Sequence, residues 1–497
     1  MTVGETAHPS GLRRLSRPLL FILPLLAPLY GLGQRGLFES DEGRYAAVAL
    51  AMLESGDQWI PRFDPDTPHL SKPPLLYWTI AASIAIFGKS EWTVRLPSVL
   101  GFWLGCLGVA LAARALSIRP WAAVWIFASA LLVAVAAEIV STDMLLTGLL
   151  AAAVGSWLSS LVSPKPLLWR FLAGIAFGLA FLCKGPPALL PLIAMAAWRK
   201  REGLSVPLLG AIGWLAFAAS ALPWYLVVMM KIPDVGGYWL GYEFFARLLS
   251  AEHDRHARWY GFVEAYGGLL ALGLLPWVWL LLPRRPRANG QEPPQARFLR
   301  WWFWLPLAIF CLSRSRLPLY VLPLFAPAAL MLARRAEQRG SVSLAMALSI
   351  LLFGAGAVLR DVIARWPTHR DARAEAASIA PWLSADTERI VFLGMPAHYG
   401  LRFYTGIPVV RAEGSDFLRF QGSNWMRESE VDPSRTLLVV GDNPQPEILA
   451  EAALRFRGAH WLGWERVRCE PKSLLCSEKS RFFSMPHERR RRAEDLP

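Results

Sequence analysis

The chain has 497 residues, 54% of them hydrophobic and 18% charged, with a net charge of +14 and a mean hydropathy of +0.33. A soluble protein would need an unusually large core to hide that much apolar surface. The Lys and Arg excess falls in short loops between apolar runs, as the positive-inside rule expects of a membrane protein, so it argues for no nucleic acid. An open sheet in lipid would leave backbone groups unpaired, so the expected class is a polytopic α-helical membrane protein.

Arg13, Arg14 and Arg17 precede an apolar run from Pro18 to about Leu32. The layout resembles a secretory signal, but no small-residue cleavage site follows. The run reads as an uncleaved first span, about 17–33, with a cytoplasmic N-terminus. A polar stretch follows, opening with Ser40-Asp41-Glu42-Gly43-Arg44-Tyr45 and later carrying Lys72-Pro73-Pro74. The apolar segment 74–88 is too short to cross a layer of about 30 Å. Counting it as a span would also put the basic loops outside, so it reads as an interfacial helix. The first outer loop is then 33–92.

Further spans are predicted at about 93–116, 120–140, 143–163, 168–182, 186–198, 205–230, 259–283, 298–313, 317–333 and 341–359. The total is about 11–13, and residues 1–359 form the membrane domain. An odd count places the C-terminal part, 360–497, on the periplasmic side. Its short apolar runs Ile390–Leu393, Thr436–Val440 and Ala459–Trp464, with a helix over Pro446–Arg455, suggest a small α/β domain. Gly441-Asp442-Asn443 reads as a turn and Arg489–Arg492 as a solvated tail. Cys106, Cys183 and Cys311 read as small hydrophobes. Cys469 and Cys476 would pair if outside the cytoplasm and stay free thiols if inside.

Several charged groups fall on the predicted outer side. Asp41 and Glu42 have a local explanation, since Ser40 is a good N-cap, acids favour a helix N-terminus and Gly56 suits the C-terminal end. The alternative is a catalytic acid at the membrane surface. Lys72 is either an interfacial lysine or a fixed ammonium for a phosphate. Asp143, in Ser141-Thr142-Asp143, is either a first-turn carboxylate or a second acid of a two-carboxylate site. Lys184, Arg314 and Arg316 are basic residues where outer loops usually lack them, which favours an anionic ligand over simple anchoring. Loop 231–258 holds Glu243, Arg247, Glu252, His253, Asp254 and His256. These include metal-ligand types, but 252–256 does not make H-E-x-x-H, so no residue is assigned to a metal and a divalent ion stays an open option. Nucleotide sugars are absent outside the cytoplasm, so a transferase there would need a membrane-borne donor such as a polyprenyl phosphate sugar.

The ordered motifs SDEGRYA with SGDQWIP, LSKPPLLYW, RLPSVL, STDMLLT, LCKGPPALLP and SRSRLPLYVLPLFAP resemble those of the bacterial transferases that attach 4-amino-4-deoxy-L-arabinose to lipid A. More broadly they are similar to the protein O-mannosyltransferase superfamily. The resemblance covers roughly 17–335. It implies a GT-C membrane fold, an undecaprenyl-phosphate-linked donor and an acid in the first periplasmic loop. Asp41 matches that acid, Asp143 the second acidic motif and Lys72 a phosphate-binding lysine. Glu243 and Arg247 match an E-H-x-x-R-type loop, although Phe244 replaces its histidine and Ser71 stands where Glu often precedes the lysine. Glu42, Arg44, Tyr45, Lys184 and Arg316 are expected to contact substrate. The implied enzyme sits in the bacterial inner membrane and moves a sugar from polyprenyl phosphate to an envelope acceptor such as lipid A. Rival readings are a protein O-glycosyltransferase, a lipid-linked sugar transporter and a non-catalytic scaffold.

Overall fold

A computed structural model describes residues 22–63, 68–246, 258, 260–282, 294–366, 368, 370–393, 395–412, 435–440 and 460–463. The chain forms two compact units, one of residues 1–35 and 70–365, the other of 36–69 and 366–497.

The first unit is helical and belongs to a multi-pass membrane protein. Among the described residues, six helices are long and apolar enough to cross a membrane: Glu91–Ala115, Thr142–Val162, Pro166–Lys184, Gly210–Lys231, Pro318–Arg339 and Val342–Arg365. Their starts follow from local chemistry. Ser90 and Thr93 form a reciprocal capping box. The Ser141 hydroxyl accepts from Asp143 N at 3.3 Å. Pro166 opens its helix, where a missing N–H costs nothing, and Gly185, at φ +72°, closes it.

Glycines set how these helices meet. A Cβ at Gly148 would lie 1.9 Å from Gly101 O, one at Gly155 2.4 Å from Gly108 O, and one at Gly174 2.1 Å from Gly213 O. Glu91–Ala115 therefore touches Thr142–Val162 backbone to backbone, and Pro166–Lys184 touches Gly210–Lys231 in the same way. Close approach through small residues maximises van der Waals contact where lipid offers no hydrophobic drive.

Several expected spans are built differently. The run 120–140 is two helices, Pro120–Ser129 and Leu131–Ala136, parted by Ala130 in an extended conformation. There Leu131 N donates to Leu275 O at 3.2 Å instead of continuing the helix. The run 259–283 consists of Val263–Gly267, Gly268–Gly273 and Trp277–Leu281, interrupted by Pro276. The run 186–198 is a 3-10 turn, Pro186–Leu189, leading into Leu190–Arg201. Segment 74–88 forms the short helix Leu75–Phe87, packed on Glu91–Ala115 and Pro166–Lys184.

The second unit is α/β. Strands β1 (Arg389–Leu393), β2 (Val409–Ala412), β3 (Thr436–Val440) and β4 (His460–Gly463) form a parallel sheet of order β2-β1-β3-β4. Ile390 aligns with Val409 on one side and Leu437 on the other. Phe392, Leu401, Ile379 and Val439 fill the core beside them. β1, β3 and β4 coincide with the predicted apolar runs. β2 escapes such reading because only Val409 and Val410 mark it. Segment 36–69 belongs to this unit, and Phe38 bridges to Asp371. The expected helix Pro446–Arg455, the turn 441–443, Cys469, Cys476, the 489–492 tail, residues 17–21 of the first span, Arg247 and 252–256 lie outside the described residues.

Gly148→Ala is expected to destabilise the protein by about 1–3 kcal/mol, the usual cost of overpacking. Thermal unfolding in detergent measures it, and an unchanged midpoint would contradict the backbone contact.

Candidate active site

The candidate residues occur in both units, and each group stands on its own geometry. In the first unit, Asp143 occupies the first turn of Thr142–Val162 and Lys184 the last turn of Pro166–Lys184. Lys184 Nζ donates to Asp143 Oδ1, and both side chains are only 11% exposed. The ammonium also lies 4.3 Å from the centre of the Tyr320 ring, an added attraction for a desolvated cation. Asp143 is therefore more than a helix-dipole acid. Cys183, next to Lys184, donates to Thr142 O at 3.5 Å, and Lys72 lies within electrostatic reach of this thiol.

Arg316 is buried. Its Nη1 donates to Arg258 O at 2.8 Å and its Nη2 to Cys311 O at 2.9 Å. Arg314 is exposed. Tyr266, also buried, lies within electrostatic reach of Arg316, Tyr320 and Asp143. Lys72 is half-buried, and its loop is held by Trp239 Nε1 donating to Leu70 O at 2.9 Å. Trp239 in turn packs on Trp224 and Tyr225. Glu243 accepts from the Tyr238 hydroxyl at 2.9 Å. Lys72, Asp143, Lys184 and Arg316 thus share one unit with Tyr320 and Tyr266. Neither tyrosine was singled out from sequence, although Tyr320 falls inside the SRSRLPLYVLPLFAP run.

In the second unit, Asp41 opens the helix Asp41–Ser55. The expected cap is corrected here, since the Ser40 side chain makes no capping bond. Glu42 reaches back instead, its Oε2 accepting from Phe38 N at 2.9 Å. Glu42 and Tyr45 are buried. The Asp41 side chain is 67% exposed and pairs with Arg44 at 2.5 Å. The Arg44 guanidinium lies 5.5 Å from the Tyr45 ring centre.

Two residues before Asp41, Glu39 is buried and accepts from Gly400 N at 2.5 Å. Burial pushes its carboxyl up to about 8, with Glu375 adding to the rise and His398 opposing it. Glu375, also raised by burial, shares a 2.8 Å hydrogen bond with His398 Nδ1. No motif marked this cluster in the sequence, because Glu39, Glu375 and His398 meet only through the fold. Among the described residues, no three His, Cys, Asp or Glu side chains gather as a metal site would need.

Residues 71–224 match the family model described as dolichyl-phosphate-mannose-protein mannosyltransferase. Undecaprenyl phosphate-α-4-amino-4-deoxy-L-arabinose arabinosyl transferase of Pseudomonas aeruginosa (strain LESB58) is 34% identical over 66% of this chain and 60% of its own length. The corresponding transferase of Edwardsiella ictaluri is 32% identical over 70% of this chain and 65% of its own. The chain thus spans about three fifths of the Pseudomonas aeruginosa relative. The crystal structure of ArnT from Cupriavidus metallidurans in the apo state superposes with a TM-score of 0.70 at 19% identity, over 95% of both chains. The same protein bound to undecaprenyl phosphate gives 0.65 at 20% identity, over 90% of this chain and 91% of that one. In sequence the chain is similar to these arabinosyl transferases, over residues 71–224 to the mannosyltransferase family model, and in fold to ArnT.

Proposed function

We propose that the protein is a glycosyltransferase of the bacterial inner membrane. It moves a sugar, 4-amino-4-deoxy-L-arabinose in the reading that its relatives' names favour, from undecaprenyl phosphate to lipid A. The N-terminus lies in the cytoplasm, and residues 360–497 face the periplasm with the reaction. The observation that carries the proposal is the buried Asp143–Lys184 pair beside Tyr320, in the unit that also holds Lys72 and the buried Arg316. Ionised side chains are costly at membrane depth and are kept there for a task. A polyprenyl phosphate sugar presents the matching problem, an apolar tail carrying an anionic phosphodiester head that becomes a dianion as the sugar leaves.

Lys72, Lys184 and Arg316 hold the donor phosphate. Their charge stabilises it as the sugar departs, because negative charge grows on the leaving oxygen. Asp143 keeps the Lys184 ammonium fixed until donor arrives. Asp41 acts on the acceptor. For a hydroxyl it takes the proton, whereas for a phosphate, already ionised, it orients the group or steadies positive charge developing at the sugar. Direct attack at the anomeric carbon inverts configuration. The match to protein mannosyltransferases favours a protein acceptor as the second reading, and the same assay separates the two.

Mass spectrometry of lipid A and of glycoproteins, from cells expressing wild type, Asp41→Asn or Lys72→Ala, tests the assignment. Loss of a general base or a transition-state charge contact is expected to lower transfer by about 10²–10⁴-fold. Unchanged glycans in cells that make Asp41→Asn at wild-type levels would overturn the role of Asp41.

Asp143→Asn strands the Lys184 charge in a buried place, at an expected cost of about 3–5 kcal/mol. The double variant Asp143→Asn/Lys184→Met should recover most of that stability in detergent unfolding. Additive losses would show that the two residues are not coupled.

A further inference from the structure

The segment that carries Asp41 is attached to the α/β unit at a specific place. Leu37 N donates to the Tyr404 hydroxyl at 2.9 Å. Ala372 N donates to Leu37 O at 2.9 Å and Glu39 N to Arg370 O at 2.8 Å. A Cβ on Gly43 would lie 2.6 Å from Gly400 Cα and 2.4 Å from Glu39 Oε1. One on Gly400 would lie 2.2 Å from the same Glu39 oxygen. The Asp41 helix and the Gly400 turn therefore meet backbone to backbone, with the Glu39 carboxyl closed in between them.

The attachment point follows the carboxyl end of β1, whose exit loop carries His398 and Tyr399 into Gly400. In the order β2-β1-β3-β4 the chain turns to opposite sides after β1 and β3. Open parallel sheets usually receive a ligand at the carboxyl ends of their strands at such a switch point. Here the group received is a side chain of the protein itself.

We propose that Glu39 is a positioning residue for the transfer reaction, fixing Asp41 by docking residues 37–43 on Gly400 and His398 at the carboxyl end of β1. The proposal rests on the reading of Asp41 as the first-loop acid. Glu39 has no contact with substrate to make, since it is buried, whereas Asp41, two residues on, is mostly exposed. The groups facing the Glu39 carboxyl are His398 from the β1 exit loop, Glu375 from the helix Ala372–Ile379, and Arg44 from the Asp41 helix, together with the Gly400 amide. Asp371 is engaged elsewhere, capping Arg373 N and Ala374 N.

Protonation supports the docking. The folded carboxyl titrates near 8 against an ordinary 4.5, so between these values the folded state holds a proton that the unfolded chain has released. Stability from this group is therefore greatest in acid and declines as pH rises through that window. Above about pH 8 the docked segment must bury a negative charge next to Glu375, and its hold on Asp41 weakens.

The test uses the full chain in lipid nanodiscs, with undecaprenyl phosphate-α-4-amino-4-deoxy-L-arabinose as donor and lipid A as acceptor. Wild type, Glu39→Ala, Glu39→Gln and Asp41→Asn are compared from pH 6 to 9.5. Glu39→Ala is expected to lose about 100-fold in kcat, the scale of a misplaced catalytic group, with KM changed less than about threefold. Glu39→Gln, neutral at every pH, should restore turnover near pH 7 and keep it above pH 8, where wild type declines. Hydrogen exchange over residues 37–43 should rise in wild type above pH 8 and stay flat in Glu39→Gln.

Three results overturn the proposal: wild-type kcat in Glu39→Ala, a Glu39→Gln variant as inactive as Glu39→Ala, or the same alkaline decline in Glu39→Gln and wild type. An active Asp41→Asn enzyme would instead refute the reading of Asp41, and the positioning role with it. If Glu39→Ala fails to fold, the alkaline limb of Glu39→Gln still decides.

Discussion

Backbone touching backbone at glycine is the constraint on which both units depend. In the membrane unit, Gly101 meets Gly148 and Gly108 meets Gly155, which locks Glu91–Ala115 along Thr142–Val162, while Gly174 against Gly213 sets the next pair. A side chain at any of these points would move its helix outward. Thr142–Val162 and Pro166–Lys184 are neighbours in this stack, so the start of one and the end of the other lie side by side. Asp143 and Lys184, at those two ends, meet for that reason. The same device recurs in the α/β unit, where Gly43 against Gly400 sets the approach of the helix that begins with Asp41.

Acidic residues in one chain are assigned quite different work by their surroundings. Asp143 is buried and paired with the Lys184 ammonium, which it holds in place. Glu39 is buried with another carboxyl nearby, and desolvation outweighs the help of His398 and Arg44, so it holds its proton near neutrality. Asp41 is mostly exposed, with Arg44 on one flank, and is the acid of the three whose carboxylate can meet an incoming group. Arg402 reinforces this arrangement from the α/β side. Its guanidinium donates to Phe63 O and to Glu54 Oε2, each at 2.5 Å, tying both the end of the Asp41 helix and the chain beyond it to the sheet unit.

What could be read in the sequence follows from where the determining contacts lie. Apolar length and basic loops are local properties, so the membrane class and the long helices such as Thr142–Val162 and Val342–Arg365 were legible. The breaks at Ala130 and Pro276 were not, because a hydrophobic run looks the same whether its backbone bonds run along a helix or, as at Leu131, to a distant carbonyl. β1, β3 and β4 announce themselves by short apolar runs, while β2 is a short strand identified by its register with Ile390. For the candidate site, Asp41, Lys72, Asp143 and Lys184 stood out as charges in unusual places. Tyr320, Tyr266 and the Glu39–Glu375–His398 group did not, since an aromatic ring in an apolar run or a glutamate before a helix is unremarkable until a partner hundreds of residues away is brought to it.

The cap of the Asp41 helix shows how a local rule can fail and still point to function. Ser40 is the residue that helix statistics would choose to satisfy the free N–H groups of the first turn. In the fold, residues 37–40 are instead drawn into contacts around Arg370, Ala372 and Tyr404, and Ser40 makes no capping bond. Glu42 takes up the neighbouring Phe38 amide and is buried by doing so. Of the two adjacent acids, one is thereby committed to the backbone. The other is left mostly exposed beside the Arg44 guanidinium, a position from which a carboxylate can meet a substrate. The difference in setting between Asp41 and Glu42, which composition and spacing leave even, is made by the way the preceding four residues dock.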